Sequence, residues 1–341
     1  MTLTRNPGTR SARGNGWTWI ALGVIAFVAL DLLITGLGSP PPNVPPLKLG
    51  DNTHVPMVPT NADFPYSRTH TVVASILLGS TGLAALLYTL RELVRTRKAL
   101  STFLALGTIA IVIPEVFVDI IGMVYYPTNP DDHAFNLFGR QMGWFIFFGW
   151  FGAGAFAVFM FKVLSARPTA KTVWLVILGS GVSYTIFEEL LVGSGGIYHY
   201  YGNQPMWWHN LPLWWTPCNV IGCAVLPAAF AYRYQNVLRG WRSAAMLVVV
   251  PASVAGGYAF IAMPSWVVVN GDYPWLPTEL CGLATYALAI GTIAVVMNLF
   301  LGYQPFDPES RPWAPPGAEE APLVAETSIA APRVDSPRVN V

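Results

Sequence analysis

Two adjacent carboxylates, Glu188 and Glu189, end an otherwise apolar run and are followed by Gly-Ser-Gly-Gly and a loop dense in Tyr, Trp and His. A second acidic pair, Glu115 and Asp119, sits in another apolar run at i, i+4, a spacing that puts both on one helix face. An ionised side chain at bilayer depth costs about 2.5–3.5 kcal/mol even on the mild insertion scale, so acids in such runs mark a functional site by default. No Lys or Arg lies deep within the same runs to neutralise them. Carboxyls drawn together out of water share protons, which sets an acid beside a base and suits general acid/base catalysis.

Neighbouring helix residues project about 100° apart, so only one of Glu188 and Glu189 faces a bundle interior. Tyr184, one turn below, and Gly181 continue the face of Glu188, which favours that residue. Glu188 and Glu115 are the expected proton donor and acceptor, in either order, with Asp119 and Glu189 completing the acidic set. Tyr184 and Asn219 are expected to orient them. Tyr198, Trp207, Trp208, Trp214 and Trp215 read either as an interfacial belt or as walls for a lipophilic substrate. The bland alternative for the acids is interhelical hydrogen bonding or a wet helix end, the stronger reading for Asp31 and Glu279. His133, His199 and His209 include a His-x9-His spacing that matches no familiar zinc pattern, so no metal is expected; a proton-shuttling His is the other option. Cys218, Cys223 and Cys281 are too few and too apolar in context for a disulfide framework. Nucleotide, serine-hydrolase and c-type haem motifs are absent, and nothing points to nucleic acid.

These residues need a scaffold, and composition names it. Of 341 residues, 53% are hydrophobic and 11% charged, against about 25% charged in soluble domains. Mean hydropathy is +0.47. The expectation is an all-α integral membrane protein of about eight spans, at 17–38, 70–92, 101–125, 141–163, 172–193, 212–232, 241–263 and 277–303. The first is read as an uncleaved helix. With the N-terminus inside, 16 of the 19 Lys and Arg fall on inner segments and only Lys48, Arg68 and Arg140 on outer ones, which predicts both termini cytoplasmic. The layout is a cytoplasmic N-terminus (1–16), a transmembrane domain (17–303) and a disordered cytoplasmic tail (304–341). A Pro-rich outer loop (39–69) reads as extended chain, and a Trp-rich outer loop covers 194–216. At 1.5 Å per residue Glu115 lies about 21 Å and Glu188 about 24 Å from the inner ends of their spans, at similar depth in the outer half.

The acidic third span ends in Tyr126-Pro127-Thr128-Asn129-Pro130, and Phe187-Glu188-Glu189 is followed by Gly196-Ile197-Tyr198-x-Tyr200-x-Gly202. With the chain's size and Pro-rich first outer loop, these motifs resemble the AveC-type spirocyclase family of actinobacterial membrane proteins over residues 20–300. That resemblance implies dehydration and spiroketal-forming cyclisation of a polyketide, with no redox cofactor. The Trp-rich stretch 206–215 and Pro217-x-Asn219 are similar, more weakly, to membrane carotenoid cyclases and hydratases, which also protonate a lipophilic substrate. The expected function is therefore a cofactor-independent cyclase or dehydratase of secondary metabolism, in the bacterial cytoplasmic membrane, taking a polyketide or isoprenoid from the bilayer. The competing class is a proton-coupled transporter or lipid-binding membrane protein, which would need polar access from both faces.

Overall fold

In the computed structural model the chain forms an all-α bundle with short two-stranded hairpins in its loops. The structure describes residues 14–313, apart from 39–45, 50–52, 57–58, 60–63, 65, 128 and 195. The basic N-terminus, much of the Pro-rich loop, Thr128 and the tail from 314 thus lie outside the described residues.

The helices are α1 (Gly14–Leu37), α2 (Arg68–Thr96), α3 (Leu100–Gly122), α4 (Trp144–Ser165), α5 (Ala170–Gly193), α6 (Trp215–Tyr234), α7 (Gly240–Ile261), α8 (Met263–Val269) and α9 (Trp275–Phe300). Among the described residues seven of them, α2 to α7 and α9, are long and apolar enough to cross a membrane. The chain thus has the architecture of a multi-pass membrane protein. The expected first span is present as α1, whose described apolar part, Ala21–Leu37, is shorter than the other seven.

Among the helices that depart from regular geometry, three do so for reasons written in the sequence. In α3 a 3-10 turn at Thr108–Ile111 precedes Pro114, whose missing N–H leaves the carbonyl of residue 110 without its helical partner. In α6 the turn Ile221–Val225 widens to π geometry just before Pro227, which for the same reason frees the carbonyl of residue 223. At the end of α5, Leu190–Ser194 also widens, where the Gly-rich break begins.

Two of the loop expectations change. Part of the Pro-rich loop is an antiparallel hairpin, β1 (Pro46–Leu49) with β2 (Thr53–Pro56). The tail expected to be disordered from 304 is ordered and docked as far as 313. Ala170 N–H donates to Ser310 O at 2.7 Å and Lys171 N–H to Pro308 O at 3.1 Å, which satisfies donors left open at the start of α5. Trp174 Nε1–H donates to Pro305 O at 2.7 Å. A Pro-rich composition reads as disorder, yet its carbonyls are free acceptors, and α5 uses them.

The half of the bundle next to the α2–α3 and α4–α5 turns is packed with apolar side chains, among them Leu104, Ala105, Met160, Leu164 and Ala228, all buried. At its edge Lys162 pairs with Glu92 at 2.5 Å. Helices α2 and α4 close on each other through glycines: a Cβ on Gly82 would stand 2.6 Å from the Phe151 carbonyl oxygen. Gly82→Val therefore has to push the two helices apart. We expect a loss of about 1–3 kcal/mol, read as a lower thermal midpoint in detergent than for wild type.

Candidate functional site

The site begins where α3 ends. Met123 adopts a left-handed conformation (φ 58°) that stops the helix and turns the chain into β3 (Val124–Tyr125). That strand pairs antiparallel with β6 (His199–Tyr200), in register Val124↔Tyr200 and Tyr125↔His199, and Tyr201 N–H adds a bond to Met123 O at 2.9 Å. Alternate residues of extended chain share a face, so Tyr198 and Tyr200 point together at the end of α5.

There they meet Glu188, whose side chain is almost wholly buried. Its Oε1 accepts hydroxyl hydrogens from Tyr198 at 2.9 Å, from Tyr184 at 3.3 Å and from Tyr200. Three donors on one oxygen leave Oε1 no proton of its own. Oε2 has no hydrogen-bond partner. Behind this cradle, Asn219 Nδ2–H donates to the Tyr184 hydroxyl while its Oδ1 accepts from Tyr258. The chain Tyr258, Asn219, Tyr184, Glu188 thus ties α7, α6 and α5 together.

Glu115 and Asp119 face the same space from α3. Tyr126 hydrogen-bonds to both, Trp150 on α4 bonds to Glu115, and Arg140 attracts Asp119. Asp119 Oδ2 is buried without a partner. Burial pushes the phenols of Tyr126, Tyr198 and Tyr200 well above their ordinary range, and the neighbouring carboxylates add to the effect. All three remain neutral hydroxyls.

Between these groups lies a cavity of about 370 Å³, walled by α2 to α6 and by residues of β3, β6 and their flanks. Glu115, Asp119 and Glu188 line it with Tyr184, Tyr198, Asn219 and Trp215; the rest of the wall is largely aliphatic and aromatic. Seven residues singled out by type and spacing therefore share one chamber. Tyr126, Trp150, Tyr200 and Cys223 also line it and were not among the expected site residues. The Tyr198-x-Tyr200 spacing carried enough signal to include Tyr200; Trp150, in an apolar helix, carried none.

The other candidates are elsewhere. Glu189 turns out of the chamber and accepts from Asn210 Nδ2–H at 2.6 Å, with the His209 ring against the same oxygen. Trp207, Trp208 and Trp214 do not line the cavity. They belong to a plug over the β3/β6 end of the bundle, whose hairpin pairs β7 (Trp207–Trp208) with β8 (Leu211–Pro212). Asp31 accepts from Trp208 Nε1–H at 3.4 Å, and Glu279 accepts from Met206 N–H at 2.8 Å. Gln204, buried, gives its amide hydrogens to Gly122 O (2.9 Å) and Tyr201 O (2.8 Å) and accepts from Trp214 Nε1–H (3.0 Å). The Trp-rich loop is a stitched-down cover, and Asp31 and Glu279 are among its stitches.

His199 faces away from Tyr198 and Tyr200 and stacks on Phe64, with ring centroids 4.2 Å apart. Burial pushes its pKa down from 6.5 to about 4, so it is neutral near pH 7. His133 bonds to Asn136. Neither lines the chamber, and His209 contacts Glu189 outside it, so among the described lining residues no histidine stands beside Glu115, Asp119 or Glu188. Among the described residues no group of three His, Cys, Asp or Glu could hold a metal ion.

No protein-family model, curated protein or solved structure matches this chain. The reading of the site therefore rests on its own geometry.

Gln204→Leu leaves the Trp214 N–H and the Gly122 carbonyl buried without partners, and should cost about 1–3 kcal/mol, seen as a reduced thermal midpoint and faster proteolysis of the 201–214 loop. His199 supplies a pH signature. Its folded-state pKa lies below the ordinary 6.5, so at intermediate pH the unfolded chain binds a proton that the folded chain does not. Stability from this residue is present above about pH 6.5 and is lost as pH falls towards about 4. Wild type should lose more thermal stability over that window than His199→Phe, which keeps a ring on Phe64. Equal losses would show that His199 is not the group responsible.

Proposed function

We propose that this chain is a membrane-embedded acid/base enzyme, a cyclase or dehydratase acting on a lipophilic polyketide or isoprenoid. The observation that carries the reading is the set of three carboxyls on one otherwise apolar chamber, one of them cradled by three tyrosine hydroxyls. The placement we propose is eight spans in a bacterial cytoplasmic membrane with both termini cytoplasmic. The distribution of basic residues supports it, and it puts the chamber in the outer half.

The chemistry is written as proton transfer between carboxyls. One protonated carboxyl gives its proton to a substrate hydroxyl, the C–O bond breaks, and water leaves. The electron-poor carbon that remains is stabilised by the ring faces of Trp215 and Tyr198. In cyclisation a second hydroxyl of the same molecule attacks that carbon, and its proton passes to a carboxylate. In simple dehydration the carboxylate takes a proton from the neighbouring carbon instead. Substrate becomes product plus water in both cases, and the carboxyls end with the proton count they began with. No electrons are exchanged, so the step requires no redox partner. Glu188 and Glu115 are the two carboxyls in this scheme. Asp119, Tyr184 and Asn219 orient them, and a substrate proton can be exchanged with Glu188 only at Oε2, since Oε1 is saturated with donors.

A proton-coupled transporter would need polar access from both faces. The apolar packing of Leu104, Ala105, Ala157, Phe161 and Ala228 across the inner half supports a one-sided site instead.

The test compares metabolites of cells making wild type or Glu188→Gln, each shown to be expressed and folded. Accumulation of a lipophilic precursor that differs from the product by water or by one ring is expected for the variant. An unchanged metabolite profile would overturn the reading and bring the transporter or lipid-binding class forward.

A further inference from the structure

We propose that the chamber opens sideways into the bilayer, through a cleft between α5 and the α2/α4 pair, and admits the polar end of a single-tailed lipophile whose chain stays in the lipid. Among the described residues that line the cavity only three are exposed: Thr81 on α2, Phe156 on α4 and Ser183 on α5. Each lies near the middle of its helix, at the level of hydrocarbon rather than headgroups. The lining residues at the outer end are buried or half-buried. Above them sits the plug fixed through Gln204, Glu279 and Asp31. The water-facing side is closed and the lipid-facing side is open.

The walls of the cleft suit an apolar chain. On α4 the cavity-facing residues outward of Phe156 include Ala153, Gly152 and Gly149, and a Cβ on Gly149 would meet nothing within 4 Å, so space is left there beside the larger Trp150, Ile146 and Phe145. The Thr81 hydroxyl is spent on Leu77 O at 2.9 Å, which leaves no free donor at that lip. From Ser183 to Glu188 the rise is about 7–8 Å along the helix. A molecule that enters head first would thus set its oxygen functions among the acids while its tail lies between Ser183 and Phe156. A chamber of about 370 Å³ holds the reacting end and leaves a long chain outside. This specifies the substrate class: a long apolar chain with its hydroxyl or carbonyl groups gathered at one end. The fate of that end rests on the acid/base reading; the opening itself does not.

The test uses the full chain in phosphatidylcholine vesicles with hexadecanol that carries a diazirine beside its hydroxyl end. Irradiation and peptide mapping should place adducts on the segments bearing Tyr184–Leu191 and Trp150. Ser183→Trp and Thr81→Trp, on opposite lips, should each lose those adducts. Val182→Trp, exposed on α5 but not lining the cavity, should label like wild type. Undiminished chamber labelling in both lip variants would overturn the proposal, as would labelling by a short water-soluble diazirine alcohol but not by hexadecanol. The two readings fail separately. Chamber labelling with an unchanged metabolite profile for Glu188→Gln would remove the acid/base enzyme and keep the opening. Loss of product in Glu188→Gln with no lipid-borne adduct would do the reverse.

Discussion

The β3/β6 end of this bundle is built around the need to keep the buried carboxyl of Glu188 supplied with hydrogen-bond donors. Glu188 is taken out of water on a helix that offers its side chain only Tyr184 from one turn below. The other two hydroxyls must come from outside the helix, and a two-residue ladder brings them. Pairing β3 with β6 spends backbone hydrogen bonds worth about 1 kcal/mol each net, yet it holds Tyr198 and Tyr200 on one face against Glu188. Gln204 then pins the same corner to the end of α3, and the Trp-rich plug closes over it. Leaving one partner of such a network unpaired in a low-dielectric setting is costly, which makes it specific as well as stabilising.

Much of this was legible in the sequence, and what was not has an identifiable physical cause. Long apolar runs read directly as helices, because a membrane span needs every backbone group bonded within the segment. Counting residues along two such runs set Glu115 and Glu188 at one depth, and the structure has both on one chamber. The rotation between Glu188 and Glu189 was readable from helix geometry, and Glu189 is indeed the one turned away, towards His209 and Asn210. The tryptophans were harder. An indole reads as belt, wall or core with equal ease, and only tertiary bonds tell Trp215, in the chamber, from Trp214, which is spent on Gln204. Ladders of two residues have no period for a pattern to reveal, so β3 with β6 could not be foreseen. The docked start of the tail was hidden for a different reason: its partners are the open N–H groups of α5, more than a hundred residues away.

The irregular turns give the chamber its shape. Regular α geometry throughout α5 and α6 would carry their side chains round at a constant angle. The wide turns at Leu190–Ser194 and Ile221–Val225 break that rotation beside the cavity, and Cys223 and Ala224 in the second of them line it. Their causes, a Gly-rich exit and Pro227, are cheap at these positions because buried helices nearby and the loops above can take up the freed carbonyls. Local departures of this kind recur at functional sites.

On the reading proposed here, closure towards water and openness towards lipid serve one chemical end. An electron-poor carbon formed beside bulk water is captured by it, whereas the same carbon among aromatic faces survives long enough for an internal hydroxyl to reach it. The plug keeps solvent from Glu115, Asp119 and Glu188. The same exclusion prevents the carboxyls from drawing a proton from solvent at each turn, so the chemistry must return the proton it borrows. Cyclisation with loss of water and dehydration both meet that condition, since one carboxyl gives a proton and another receives one. A carrier that moves protons across the membrane does not, for it must pass them on through an inner half that here offers Leu104, Ala157 and Ala228 in place of buried carboxyls. The arrangement of apolar packing thus bears on the choice of chemistry as much as the acids themselves do.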